Sequence, residues 1–202
     1  MIKLLSEKTA RYLADGDETA DVEIIAYGYY MFYQQWIITL AILLVALPFG
    51  LFFPVLASVA VAMILRGCAA GTHATHPIIC KIAAFAMAFT PVILAEVFAL
   101  RLTPVVALVI YLLSVALLVK YAPGDTDVKK IRNPKIRRQM KTQSLIWVTV
   151  FFTAAVFLNG RFPVIAFVVA AAALMTCSLV HPLIYRLFGF DPVTKEALRP
   201  RM

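Results

Sequence analysis

Six charge-poor apolar blocks constrain this chain more than any other feature: Tyr27–Leu47, Leu51–Leu65, Ile78–Leu100, Pro104–Val119, Leu145–Leu158 and Pro163–Val180. A helix that crosses ~30 Å of hydrocarbon needs about 20 residues, with a lower limit near 17. The first and third blocks meet that length, whereas the second and fifth fall short and read as re-entrant or bundle-buried elements. The expected fold is therefore all-α, a polytopic transmembrane helical bundle of about six spans, with four spans plus two short elements as the alternative. Composition agrees: 62% of the residues are hydrophobic and only 15% charged, with a mean hydropathy of +0.87. These values exclude a secreted disulfide scaffold, a disordered chain and a coiled coil. Turn signals separate the blocks at Pro48 and Gly50, at Thr103-Pro104 and at Asn159-Gly160.

The net charge of +8 reads as a topology signal rather than a nucleic-acid footprint, because the basic residues concentrate between apolar blocks. Residues 120–144 carry Lys120, Lys129, Lys130, Arg132, Lys135, Arg137, Arg138 and Lys141. Arg66 and Lys81 flank the second break, and Arg186, Lys195, Arg199 and Arg201 lie in the tail. Six spans with both termini inside would put all of these in the cytoplasm of a bacterial cell membrane. Residues 1–202 form one integral membrane domain on this reading. Its first segment, 1–23, contains Glu7, Asp15, Asp17, Glu18 and Asp21 and has no cleavage site, so it is not a signal peptide. Leu4, Leu5, Thr9, Tyr12 and Leu13 keep helical spacing, which predicts an amphipathic helix on the membrane surface. The three cysteines, Cys68, Cys80 and Cys177, cannot all pair, and free thiols are expected.

Chemistry concentrates in residues 66–80, Arg-Gly-Cys-Ala-Ala-Gly-Thr-His-Ala-Thr-His-Pro-Ile-Ile-Cys. A cysteine nucleophile needs a base to form and hold the thiolate, and imidazole is the usual partner. His73 and Cys80 would lie about 10.5 Å apart along a continuous helix, too far to touch. Pro77 opposes such a helix, so a loop carrying His73 can fold over a helix that starts near Pro77 and carries Cys80. By spacing alone His76 is an equal candidate. A zinc site from His73, His76 and Cys80 is a third reading, without the H-E-x-x-H pattern, since Ala74 stands at the glutamate position. Cysteine as a small apolar filler is the bland alternative. Elsewhere, Glu96 is expected to pair with Arg101, while Cys177 and His181 are expected only to pack. Gln34 and Gln35 can bond between helices or to a substrate.

The arrangement Arg66, Gly71, His73, Cys80 resembles the signature of the accessory gene regulator B (AgrB) family. Tyr121-Ala122-Pro123-Gly124-Asp125-Thr126, a basic stretch with Pro134, and Ser144 opening the next span extend the likeness, as does Tyr27-Gly28 more weakly. The sequence departs from common members at Gly124 and in the extra Cys68. The family comprises membrane cysteine endopeptidases that process quorum-sensing propeptides in Gram-positive bacteria. The resemblance implies a His73–Cys80 dyad, which selects His73 over His76, with no metal and no cofactor. It implies that Arg66 and Gly71 support the substrate or the oxyanion. An AgrD-like propeptide with an acidic tail is the implied substrate, and a homodimer the implied assembly. Lys129, Lys130, Arg132, Lys135, Arg137 and Arg138 are expected to meet the propeptide tail or anionic lipids. The rival class is a small transporter or scaffold. Its supporting feature is the matching position of the two short blocks in the two halves of the chain.

Overall fold

The computed structural model describes residues 2–14, 21–69, 77–124 and 133–187. Among them every regular element is helical. The chain divides into two compact units, residues 1–49 and 50–202.

The first unit is a pair of helices, α1 (Ile2–Leu13) and α2 (Val22–Ala46), followed by a 3-10 turn at Leu47–Phe49. Asp21 starts α2: its carboxylate accepts from the backbone N–H of Glu23 (3.0 Å) and Ile24 (3.2 Å), satisfying two of the free amides of a helix start. Capping therefore sets the start of α2 at Val22, five residues before the apolar block. The small residues Ser6 and Ala10 are the buried positions of α1, which packs against α2, and the hydroxyls of Thr9 and Tyr33 are 3.1 Å apart. Leu4, Leu5, Tyr12 and Leu13 are exposed. The amphipathic character of α1 is thus used with the small residues inward and the apolar ones left for the surroundings. Gln34 donates to Tyr30 Oη (2.7 Å) and Gln35 to Thr39 Oγ1 (3.5 Å), so both amides bond within α2.

The second unit contains α3 (Phe52–Ala69), α4 (Pro77–Glu96), α5 (Pro104–Tyr121), α6 (Pro134–Leu158), α7 (Pro163–Ser178) and the short α8 (Pro182–Leu187). Five of these six begin with proline, whose fixed φ suits the first helical position and whose missing N–H costs nothing there. Thr103 and Asn133 cap the starts of α5 and α6 with their side chains. Among the described residues, five helices are long and apolar enough to cross a membrane: α2 with its 3-10 turn, then α3 to α6. The sixth apolar helix, α7, is shorter.

The short element is therefore not where hydropathy puts it. The blocks Leu51–Leu65 and Leu145–Leu158 lie in helices of 18 and 25 residues. Both helices run past the apolar block into polar flanks, α3 through Arg66 and α6 back to Pro134 through the basic stretch. Among the described residues, the two short blocks whose matching places favoured a transporter thus belong to helices long enough to cross a membrane. At 16 residues α7 is the shortest of the apolar helices, and it is also the hub, packing against α3, α4, α5 and α6. Its buried residues include the run Ala170 to Ala173, with Val168 and Phe167 beside it. Lipid is as apolar as leucine, so helices in a membrane associate through close van der Waals packing, which small side chains permit. A helix covered by protein on all sides reads as apolar all round.

At one end of this bundle Arg101 closes the C-terminus of α4. Its Nη1 donates to the carbonyls of Ala95 (2.9 Å) and Leu100 (3.3 Å). The expected Glu96–Arg101 pair does not form among the described residues, because the guanidinium satisfies helix-end carbonyls instead. Asn159 Nδ2 donates to Leu102 O (2.9 Å), tying the α6–α7 turn to the α4–α5 connection.

Candidate active site

The opposite end of the bundle gathers the C-termini of α3, α5 and α7 with the N-termini of α4 and α6. Arg66 sits in the last turn of α3, and Cys80 in the first turn of α4, which does begin at Pro77. The two helices pack against each other, so Arg66 and Cys80 lie at the same end of the α3–α4 pair. Both side chains are half-buried, which leaves the sulfur reachable. His73 and Gly71, like His76, lie outside the described residues, as do Lys129, Lys130 and Arg132. Cys68, Cys80 and Cys177 are free thiols. The zinc reading involves His73 and His76 and so also falls outside the described residues.

The basic stretch divides into two faces on α6. Arg137, Lys141, Ser144, Val148, Phe152 and Ala155 recur at helical spacing along its inner side, the last four fully buried. Arg137 Nη2 donates to Pro123 O (3.5 Å), and Lys141 Nζ donates to Val119 O. Lys135 and Arg138 lie outside that stripe and are exposed. Of the residues expected to meet a propeptide tail or lipid, these two are the ones the described structure leaves presented to solvent.

Contacts that hydropathy could not anticipate converge on the turn after α5. Gly124 donates its backbone N–H to Ala69 O (3.0 Å), the last carbonyl of α3. The ring of Tyr121 meets His181 edge-on, with centroids 4.9 Å apart. His181 Nδ1 accepts from Leu183 N (3.2 Å) at the start of α8, so this histidine caps a helix as well as packing. The only advance signal was the Tyr121–Gly124 motif itself.

A multi-pass helical membrane protein with a cysteine and an arginine on two packed helices at one end of its bundle is the class these observations define. The family model "Accessory gene regulator B" matches residues 6–180, and the chain belongs to the AgrB family. Two curated relatives from Clostridium perfringens share the name "Putative AgrB-like protein", the strain 13 one with the suffix 2. This chain is 29% identical to that relative and 27% identical to the one from strain SM101. Each match extends over 154 residues, 74% of this chain and 71% of the relative. No solved structure matches the chain. Membership assigns the chain to peptide processing in accessory gene regulator quorum sensing, with an AgrD-like propeptide as substrate and a peptidase role.

Proposed function

We propose that the chain is a membrane cysteine endopeptidase that removes the C-terminal tail of its propeptide through an acyl-thioester on Cys80. The observation that carries this reading is the placement of Arg66 and Cys80 at the same end of the packed α3–α4 pair, with His73 in the sequence that connects those helices. His73 takes the Cys80 proton, and the sulfur attacks the carbonyl carbon at the tail junction. The C–N bond breaks as His73 returns the proton to the leaving amine. Arg66 offers positive charge where negative charge builds, on sulfur and then on the tetrahedral oxygen. The positive end of the α4 dipole adds to this.

A thioester keeps the acyl group activated. An internal thiol or hydroxyl of the propeptide can therefore displace Cys80, closing a (thio)lactone ring and restoring the enzyme. Water would waste that activation, so the site gains from sitting at the membrane edge. In this reading the site and both termini face the cytoplasm, where Lys135 and Arg138 attract an acidic tail or anionic lipid. Two such chains form the working dimer.

The test uses the full chain in nanodiscs with the propeptide encoded beside its gene, followed by mass spectrometry. A covalent adduct on Cys80 in the wild type, with no cleavage in Cys80→Ala or His73→Ala, is the expected result. Cleavage that survives Cys80→Ala would overturn the mechanism and redirect attention to His76 and zinc.

A further inference from the structure

We propose that the turn Tyr121–Gly124 is a strut that positions the end of α3 and with it Arg66, and that Arg137 and Lys141 are positioning residues acting through it. The inference rests on the peptidase reading above and deepens it.

The argument starts from the end of α3. The last four carbonyls of any helix lack intrahelical donors, and helices often close them with a left-handed residue of their own chain. For α3 a donor comes from far along the sequence, the N–H of Gly124, at 3.0 Å from Ala69 O. Ala69 is itself buried, and Arg66 lies about one helical turn before it. The end of α3 that carries Arg66 is thus held by the turn after α5.

The turn is in turn held by α6 and by a residue beyond the end of α7. Pro123 has no N–H to offer, and its carbonyl accepts from Arg137 on α6. Val119 O, one of the free carbonyls at the end of α5, accepts from Lys141, one helical turn further along the same face. Tyr121 is buttressed by the ring of His181 beyond the end of α7. Arg137 and Lys141 occupy the stripe of α6 that continues inward through Ser144 and Val148, so their orientation follows from the packing of α6 in the bundle. The same stretch thereby serves two purposes: Arg137 and Lys141 brace the site, while Lys135 and Arg138 stay exposed.

The experiment compares Arg137→Met, Arg137→Lys and Lys141→Met with the wild type, as full chains in nanodiscs with the propeptide. Steady-state cleavage and hydrogen exchange of residues 66–69 and 119–124 are measured. Misplacing a catalytic group by about 1 Å can cost as much as 10²-fold. Arg137→Met should therefore lower kcat by roughly 10- to 100-fold, leave KM within about twofold, and speed exchange in both segments. Arg137→Lys, which keeps a donor, should restore part of kcat. A raised KM with unchanged kcat would make Arg137 a tail contact and overturn the strut, as would unchanged exchange. If Arg137→Met does not fold, Lys141→Met loosens the same turn from Val119 and is read by the same criteria. A normal kcat in these variants, with cleavage still abolished in Cys80→Ala, overturns the strut alone. Cleavage surviving Cys80→Ala overturns the peptidase reading instead.

Discussion

At one end of the α3–α7 bundle, Asn159 reaches a carbonyl of the α4–α5 connection, Leu102 O, and Arg101 reaches a helix-end carbonyl, Ala95 O, so side chains close backbone groups of that end. At the other end a backbone N–H of one connection closes the carbonyl that opens another, and two basic side chains of α6 hold the donor in place. The first arrangement needs only to stop helices and reverse the chain. The second ties three helices at the end that holds Arg66 and Cys80, the groups to which the proposed chemistry is assigned. Charge divides in the same way. The first end carries Arg101 and Arg161, whereas Arg66, Lys120, Lys135, Arg137, Arg138 and Lys141 crowd the second.

The sharpest way to break this comparison is to substitute both ends and measure activity per folded molecule. Cys80→Ala should abolish tail removal, and His73→Ala should lower it by about 10²- to 10⁴-fold, as expected for loss of a general base. Arg66→Ala should cost about 10²-fold in kcat, in the range for loss of an oxyanion contact, with Arg66→Lys intermediate. Propeptide mass spectra follow both. At the far end, Asn159→Ala should leave kcat unchanged and lower stability by about 1–3 kcal/mol, since Leu102 O loses its partner. A thermal melt in detergent reads this. Between the ends, Ala172→Leu should destabilise by roughly 1–3 kcal/mol by overpacking α7. The smallest effect belongs to Lys135→Ala with Arg138→Ala. KM for the propeptide should rise a few-fold, and the difference from wild type should shrink at high salt, where exposed charges are screened. A loss of activity from Asn159→Ala matching that of Arg66→Ala would erase the distinction between the ends.

Much of this was legible in the residues. Apolar blocks, proline starts and basic flanks gave the helical bundle, and the spacing around Pro77 gave a helix start with Cys80 in its first turn. Helix lengths were less legible, because hydropathy falls where α6 is already helical. Asn133 and Pro134 mark that start by capping chemistry rather than by apolarity. The role of Arg101 was misjudged because a carboxylate five residues away is visible in sequence, whereas the free carbonyls at a helix end are not. The Gly124–Ala69 bond joins two backbone groups far apart in the chain, and no side-chain pattern announces it. Arg137 and Lys141 look identical in kind to Lys135 and Arg138 until the inward stripe of α6 separates them.

The place of α7 also bears on how the chain is made. The helices it packs against, α3 to α6, all precede it in the sequence, so they leave the ribosome without the element they share. Until residues 163–178 have been synthesised, these four helices have no common partner. Assembly of the core is thus a late event in biogenesis. A nascent chain stalled before Pro163 should be a substrate for membrane quality control rather than a smaller stable protein.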